Sequence, residues 1–214
     1  MQHLSLAGAD PVRVLVVGAH ADDIEIGCGG TLLRLAAEGR IGAARWVVMS
    51  ADGAREAEAR AGASAILGSL PSTVDVHAFR DGYFPFEGAA IKDAFEAIKS
   101  SFEPDLILTH RRDDLHQDHA LIGALTTQTF RDHLILEYEI PKWDADLTPP
   151  NVYVELSATV AARKSALIAQ AFPSQLGRHW FDAETFLGLA RLRGVECRAT
   201  EGYAEGFHAR KVAL

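Results

Sequence analysis

Two hydrophobic periods alternate along this chain, and this alternation constrains its fold more than any other feature. Short apolar runs rich in β-branched residues, such as 14–17 and 106–108, are separated by longer stretches in which apolar residues recur every three or four positions. The first pattern is typical of buried strands and the second of amphipathic helices. Strands and helices that alternate in this way form a mainly parallel sheet sandwiched by helices. The sequence therefore predicts an α/β fold in a single domain, residues 1–214.

The same periods locate the individual elements. We predict six strands, at residues 13–17, 45–50, 73–79, 106–109, 134–139 and 152–156. We predict six helices, at residues 31–38, 54–67, 89–101, 115–130, 158–171 and 183–193. Gly39 is suited to the left-handed conformation that ends the first helix. Residues 141–151 break both periods and are predicted to form an ordered surface loop within the domain.

Composition argues against several classes of function. The chain has 21 Lys and Arg against 29 Asp and Glu, a net charge of −8, so we expect no basic surface for nucleic acid or for an anionic membrane. No apolar run approaches the roughly 20 residues of a membrane-spanning helix, and residues 1–10 lack the pattern of a secretory signal. Two cysteines, Cys28 and Cys197, are too few for a disulfide framework. We therefore expect a cytoplasmic protein with reduced thiols, no nucleic-acid partner and no stable membrane association.

Imidazoles and carboxylates are concentrated after two of the predicted strands. They are His20, Asp22 and Asp23 after the first strand, and Asp114, His116, Asp118 and His119 after the fourth. In an open α/β sheet the ligand crevice lies beyond the carboxyl ends of the strands. Nitrogen and oxygen donors without cysteine suit zinc, and such a site also accepts iron(II) or cobalt(II). The sequence therefore predicts a site for a divalent metal ion at this edge.

The spacing within each segment supports this prediction. His116 and His119 are three residues apart, which places both imidazoles on one face of a helix. His20 and Asp23 have the same spacing in a turn. Taken alone, Asp22 and Asp23 are equally consistent with a helix cap beside a solvated acid. The second cluster, after another strand, makes the metal site the favoured interpretation.

Three glycines close to the first segment invite comparison with a dinucleotide-binding turn. They are Gly27, Gly29 and Gly30. In that motif the glycines follow the strand immediately, and its third glycine would fall where this chain has Leu32. We therefore favour glycines that let a helix pack closely against the metal-binding loop. The alternative is a noncatalytic nucleotide-binding module of Rossmann type.

Both segments resemble the motifs of one enzyme family. HADDIEIGCGGTL at residues 20–32 resembles the opening motif of the PIG-L (LmbE-like) zinc deacetylases, and DLHQDH at residues 114–119 resembles their second motif. The resemblance extends through residues 55–58, 81–82 and 203–207. It implies a Rossmann-like domain and a hydrolase that removes the N-acetyl group from a 2-acetamido sugar or sugar conjugate, releasing acetate and a free amine.

The resemblance also implies roles for individual residues. By position, His20, Asp23 and His119 would ligate one zinc ion per chain. Asp22 would be the general base, and His116 would stabilise the oxyanion or donate a proton. These roles are chemically consistent, because zinc lowers the pKa of a bound water towards about 7 and a neighbouring carboxylate can accept its proton.

Further roles follow from the same resemblance. Asp118, placed with the catalytic residues, is similar to an acid that fixes a histidine tautomer. Arg55 and Asp81 correspond to residues that hold sugar hydroxyls, although Arg60 competes with Arg55 for that position. Whether Asp114 is only a helix cap stays open.

Two features depart from the pattern of the family. Ala21 stands where the family usually has proline, which should loosen the loop without removing a ligand. The second segment begins with Arg111 and Arg112, which either meet an anionic group of the substrate or are exposed charges.

The amine side of the substrate stays open. Aromatic rings for stacking a sugar or a nucleobase are offered by Tyr83, Phe84, Trp143 and Trp180, which equally suit packing. The substrate is a small-molecule sugar in the first hypothesis and another acylated amine in the second. A free sugar, a nucleotide sugar and a thiol-precursor glycoside are equally consistent with the sequence, whereas the lack of a basic amphipathic helix disfavours a lipid-linked glycan. Whether the chain forms a homo-oligomer is also open.

Overall fold

The computed structural model describes residues 11–212. The strands in this range are β1 (Val12–His20), β2 (Ile41–Ser50), β3 (Ser72–Val76), β4 (Leu106–His110), β5 (Leu134–Tyr138), β6 (Val152–Leu156) and β7 (Tyr203–Ala209). The α-helices are α1 (Asp23–Ala37), α2 (Gly53–Leu67), α3 (Gly88–Ser101), α4 (Gln117–Thr129), α5 (Ala158–Ala171) and α6 (Ala183–Cys197). Two short 3-10 turns lie at Phe84–Phe86 and Pro173–Gln175.

The strands form one mixed sheet in the order β3-β2-β1-β4-β5-β7-β6. Neighbours from β3 to β5 are parallel, and β7 runs antiparallel to both β5 and β6. The prediction of a single α/β domain with a mainly parallel sheet is therefore confirmed. The order of the strands reverses between β1 and β4, so the ligand crevice is expected beyond the carboxyl ends of these two strands.

Alternate residues of the central strands pack into opposite layers. Val14 and Val16 face a core that includes α1, α2 and α5, whereas Leu15 and Val17 face α3 and α4. Because helices cover both faces, β1 is buried throughout its middle and reads as a continuous apolar run. This burial explains why the central strands were predictable from hydrophobicity alone.

Two predicted helix starts were wrong. Helix α1 begins at Asp23 instead of residue 31, so the glycines lie inside the helix and not at its entry. Glycine lowers helix propensity, and in this segment burial against the sheet outweighs that preference. Helix α4 begins at Gln117 and is capped by His116, whose side chain accepts the backbone N–H of Asp118, so Asp114 is not its N-cap.

The last strand was missed. Strand β7 contains Glu205 and Gly206 between apolar residues, which breaks the period expected of a strand. Helix α6 also extends to Cys197 instead of residue 193, and β3 ends at Val76 instead of residue 79. Residues 141–151 contain neither a helix nor a strand, as predicted.

Several further sequence predictions concern single residues or the ends of the chain. Cys28 and Cys197 are buried free thiols, as expected, and Gly39 has the left-handed φ of 66° predicted for the end of α1. Residues 1–10, where we looked for a secretory signal, lie outside the described residues, as do 213–214, and the domain limits at 1 and 214 therefore stay predictions. None of the helices within residues 11–212 has the length and apolarity needed to cross a membrane.

Candidate active site

The predicted site residues meet at the carboxyl ends of β1 and β4. His20 is the last residue of β1, and Asp22 and Asp23 follow it at the start of α1. His116 and His119 lie at the start of α4, the helix that follows β4. The two strands are neighbours in the sheet, so both segments reach one crevice.

Donor atoms of three side chains, those of His20, Asp23 and His119, converge in this crevice. His20 Nδ1 lies 3.2 Å from His119 Nε2, and it lies 3.4 Å from Asp23 Oδ2. Asp23 Oδ1 is 3.5 Å from His119 Nε2. Tetrahedral ligands of zinc, with bonds of about 2.0–2.1 Å, lie about 3.3 Å from one another. Two facing imidazole nitrogens and a carboxylate at this spacing fit a divalent metal ion.

The charges of Asp23 and His119 also suit a cation. Burial opposes the charge of Asp23, but the imidazoles of His119 and His110 hold the pKa of this carboxyl well below its ordinary value. Burial, together with the nearby imidazole of His110, lowers the pKa of His119 to about 4. The triad therefore offers an anionic oxygen and a neutral imidazole nitrogen at neutral pH.

Asp118 holds the other side of the His20 ring. Its Oδ2 lies 3.2 Å from His20 Nε2, and its carboxylate also accepts the N–H groups of Gly82 at 2.7 Å and Phe84 at 3.1 Å. Asp81 Oδ1 lies 3.0 Å from the same nitrogen of His20, with its carboxylate exposed. Burial opposes protonation of His20, but these acids raise the pKa of its imidazole well above the ordinary value.

Asp22 is buried beside the triad and is held by Arg55. Arg55 Nη2 lies 3.2 Å from Asp22 Oδ1, while Nη1 contacts Glu58 at 2.8 Å. Burial, reinforced by the charge of Asp23, raises the pKa of Asp22 to about 7. The competing Arg60 pairs instead with a glutamate on the exposed face of α2, so Arg55 is the one of these two arginines that contacts Asp22.

His116 lies between the triad and solvent. Its ring stacks on His119 with a centroid distance of 4.5 Å and meets the edge of His20 at 5.1 Å. Its Nδ1 accepts the backbone N–H of Asp118 at 3.3 Å. Since Nδ1 uses its lone pair there, the proton of the neutral ring is on Nε2, which leaves Nε2–H free to donate.

His110, which the sequence motifs left without a role, contacts two of the predicted ligands, His119 and Asp23. It ends β4, is fully buried, and stacks on His119 with a centroid distance of 4.0 Å. Its Nε2 lies 3.1 Å from Asp23 Oδ2 and accepts the N–H of Ala19 at 2.9 Å. Its position at the end of a strand, next to the second motif, was the available signal.

Asp114, left open between a cap and a site residue, contacts a predicted ligand. Its Oδ2 lies 3.3 Å from His119 Nδ1, and its Oδ1 accepts the N–H of His116 at 2.8 Å. Lys142, from the loop at residues 141–151, lies 3.0 Å from Asp114 and 2.6 Å from Asp146. The carboxylate therefore connects a predicted ligand to a loop that is distant in the sequence.

The remaining candidates have other environments. Arg111 pairs with Asp113 at 3.0 Å, and Arg112 pairs with Glu137 at 2.8 Å, so both arginines already have carboxylate partners. Among the aromatic candidates, Phe84 is buried and stacks on His20, Trp180 is partly buried against the core, and Tyr83 and Trp143 are exposed.

The glycines do not form a phosphate-binding turn. A Cβ at Gly27 would lie 2.2 Å from Tyr138 Cδ2, and a Cβ at Gly30 would lie 2.5 Å from Leu156 Cδ1. Side chains therefore cover the surface that a nucleotide would need. The packing agrees with the close approach of a helix and not with a nucleotide-binding module.

Comparison with known proteins assigns the chain to a family. The family model described as PIG-L: GlcNAc-PI de-N-acetylase matches residues 15–130, a span that contains both motifs. The chain belongs to the PIG-L family. The resemblance of its motifs is thereby confirmed, and membership supports a metal-dependent deacetylase.

Solved structures share the fold of this PIG-L chain. The conserved protein TT1542 from Thermus thermophilus is 21% identical, with 95% of this chain and 96% of that chain covered and a TM-score of 0.74. The N,N'-diacetylchitobiose deacetylase from Pyrococcus horikoshii is 20% identical, with 92% and 83% covered and a TM-score of 0.73. GalB, the 4-carboxy-2-hydroxymuconate hydratase from Pseudomonas putida, is 19% identical, with 94% and 97% covered and a TM-score of 0.74. One fold thus serves a deacetylase and a hydratase, so the reaction must be argued from the site.

Proposed function

We propose that this protein is a zinc-dependent hydrolase that removes the N-acetyl group from a 2-acetamido sugar or sugar conjugate. The observation that carries the proposal is the spacing of 3.2–3.5 Å among the donor atoms of His20, Asp23 and His119, with buried Asp22 directly beside them. His20, Asp23 and His119 would hold the zinc ion, which lowers the pKa of water and polarises a carbonyl oxygen when it is bound. Iron(II) or cobalt(II) is a plausible substitute at the same donors.

Asp22 acts as the general base and then as the general acid. As a water oxygen attacks the carbonyl carbon of the acetamide, the Asp22 carboxylate takes a proton from that water. When the C–N bond breaks, the same proton passes to the departing amine nitrogen, so that acetate and a free amine are formed. Arg55, 3.2 Å from Asp22, holds the carboxylate in place during both transfers.

The neighbouring side chains stabilise charge and orient the sugar. His116 offers Nε2–H to the carbonyl oxygen as negative charge develops there, a contribution that is commonly large in acyl transfer. Asp118 fixes the ring of His20 through Nε2. Asp81, whose carboxylate is exposed, and Arg55 would hold sugar hydroxyls. The location in the cytoplasm and the small-molecule partner remain predictions of the sequence.

The first test is metal content together with acetate release. Purified protein should contain about one metal ion per chain and should release acetate from N-acetylglucosamine, N,N'-diacetylchitobiose or another acetamido sugar. A chelator should abolish release, and zinc should restore it. Metal without acetate release, with turnover of acylated non-sugar amines instead, would favour the second hypothesis, and protein that stays free of metal after reconstitution would contradict the mechanism.

Variants separate the proposed roles. Substituting His20, Asp23 or His119 by alanine should remove the metal ion. Asp22→Asn should keep the metal and lose nearly all acetate release, so full activity of this variant would show that another group is the base. His116→Ala should also keep the metal and lower kcat by about 10²–10³-fold, the effect of losing one oxyanion donor.

A further inference from the structure

Several exposed apolar side chains belong to segments that also supply the candidate site. Nine large apolar residues are exposed within residues 11–212, and six of them lie in the segments that follow the parallel strands β3, β4 and β5 or in the segment that adjoins Arg55. These six form what we call the apolar rim: Tyr83, Phe86, Leu115, Trp143, Leu147 and Leu176. An exposed apolar patch beside polar catalytic groups is typical of a ligand-binding surface.

Contacts on either side of the rim residues tie them to the site. Tyr83 lies between Gly82 and Phe84, whose N–H groups bind Asp118. Leu115 lies between the site residues Asp114 and His116, and its own N–H binds Asp146 at 2.9 Å.

Two other rim residues are tied to the site in the same way. Trp143 follows Lys142, whose ammonium group contacts Asp114 at 3.0 Å. Leu176 lies two residues after Ser174, whose hydroxyl is 3.3 Å from Arg55 Nη1. The apolar rim therefore borders the crevice from four separate segments of the chain.

The most exposed rings are held in place before any ligand arrives. Trp143 is 70% exposed, yet its ring stacks on His179 at 5.4 Å with an interplanar angle of 10°. Its Nε1–H also donates to His179 Nε2 at 3.0 Å. In the segment after β3, Tyr83 contacts Phe86 and lies under the guanidinium of Arg80. Rings that are ordered in advance lose little entropy when a ligand packs on them.

Four cations near the crevice are already paired with carboxylates. Arg55 is paired with Asp22 and Glu58, and Lys142 with Asp114 and Asp146. Arg111 and Arg112 are also paired with carboxylates, those of Asp113 and Glu137. A phosphate group would have to displace a carboxylate partner to reach any of these four cations.

We propose that the natural substrate is an acetamido sugar with an uncharged aryl or alkyl aglycone, and that this aglycone packs on the apolar rim. The proposal rests on the deacetylase function proposed above. The anomeric carbon is the neighbour of the carbon that bears the acetamide, so an aglycone there reaches the border of the crevice when the amide is at the triad. Trp143 and Phe86, the two most exposed rings, are the specificity-determining residues.

The experiment compares acetate release from four substrates. Three are the methyl, phenyl and hexyl β-glycosides of N-acetylglucosamine, with the hexyl glycoside kept below its critical micelle concentration. The fourth is uridine diphosphate N-acetylglucosamine. We expect kcat/KM for the phenyl and hexyl glycosides to exceed that for the methyl glycoside by about tenfold or more, as burial of a ring or a short chain implies. The nucleotide sugar should be no better than the methyl glycoside.

Variants assign the preference to the rim. Trp143→Ala and, independently, Phe86→Ala should lower the ratio of phenyl to methyl kcat/KM several-fold, and the double variant should bring it close to one. Leu192→Ala is the matched control, because Leu192 is also exposed but lies on α6 outside the rim, and this variant should keep the ratio. The thermal midpoint of each variant verifies that it is folded.

Each other outcome has a distinct meaning. Acetate release with equal rates for all glycosides, or a preference for the nucleotide sugar, would overturn the aglycone proposal and leave the deacetylase function standing. A preference that survives in the double variant would also overturn it. The aglycone proposal would also fail if the rim variants changed the molecular mass of the protein in solution, measured by light scattering, but left the substrate preference unchanged. The rim would then be an interface between copies of this chain. No acetate from any substrate by metal-loaded protein would reject the deacetylase function itself.

Discussion

Gly27 and Gly29 are close neighbours in α1, yet only one of them is required by the packing. A Cβ at Gly27 would lie 2.2 Å from the ring of Tyr138, whose hydroxyl donates to Val17 O at 2.7 Å. A Cβ at Gly29 would meet the end of Ile66 at 3.4 Å, an ordinary contact. The glycine-rich segment therefore serves the approach of α1 to β5, and its glycines are not equivalent.

This difference predicts opposite effects for two similar substitutions. Gly27→Ala should lower the free energy of unfolding by about 1–3 kcal/mol, because the methyl group overpacks a fully buried ring. Gly29→Ala should leave stability unchanged or raise it by up to about 1 kcal/mol, since alanine favours the helix. Chemical denaturation of both variants measures the contrast. Equal changes in the free energy of unfolding would show that the close approach of Tyr138 to α1 does not require glycine at position 27.

Asp113 and Asp114 make a second contrast between neighbours. Asp113 pairs with Arg111 at the surface, whereas Asp114 contacts Nδ1 of His119. Asp114→Asn removes the charge that orients this predicted ligand, so metal affinity should fall about 10–100-fold. Asp113→Asn should keep the affinity of the native protein. Competition with a chelator measures both constants, and equal affinities would remove Asp114 from the site.

At the scale of elements, one buried ion pair joins two helices and a strand. Lys164 on α5 binds Glu205 on β7 at 2.7 Å and the carbonyl of Ile26 in α1. Glu205 also accepts the N–H groups of Gly30 and Thr31 at 2.8 and 2.7 Å. A carboxylate thus reaches the middle of α1, at the position where the sequence predicted that the helix would begin.

Removal of this cation should be costly. Lys164→Met leaves Glu205 buried without its counter-charge, so we expect a loss of about 3–5 kcal/mol in the free energy of unfolding. The double variant Lys164→Met, Glu205→Gln should lose less than the sum of its single changes, because both act on one contact.

The surface pair of Arg60 and Glu56 provides the control for this prediction. Arg60→Met removes an exposed pair on α2 and should cost no more than about 1 kcal/mol. A cost for Lys164→Met as small as that of Arg60→Met would show that the buried pair does not hold α1, α5 and β7 together.

At the scale of the whole molecule, the strand order gathers negative charge at one point. The chain carries a net charge of −8, and the reversal between β1 and β4 brings Asp22, Asp23, Asp114 and Asp118 into one crevice. Arg55 and Lys142 are paired with Asp22 and Asp114, whereas Asp23 is bordered by imidazoles, and buried like charges that share a site repel one another. A bound divalent ion should therefore stabilise the folded state.

This stabilisation can be measured directly. Zinc at about a thousand times its dissociation constant should add about 4 kcal/mol and raise the thermal midpoint by on the order of 10 °C. The shift should vanish in His119→Ala. His133→Ala, which changes a histidine outside the candidate site, should keep the shift. An equal shift in both variants would indicate that the metal binds elsewhere.

Local sequence was enough to place the strands β1, β2, β4, β5 and β6, since each contains a short apolar run. It also located candidate site residues within each segment, because His20 and Asp23, and likewise His116 and His119, are three residues apart in one turn. Such patterns depend on residues only a few positions apart. The family match over residues 15–130 agrees with these motifs.

Tertiary structure alone decided the rest. The continuation of α1 through its glycines depends on Tyr138 and Glu205, and β7 depends on pairing with both β5 and β6. The position of Asp114 and the contact of His110 with His119 likewise depend on strands and loops far apart in the chain. Sequence records which residues are available, but such contacts arise only when the sheet order brings distant segments within reach of one another.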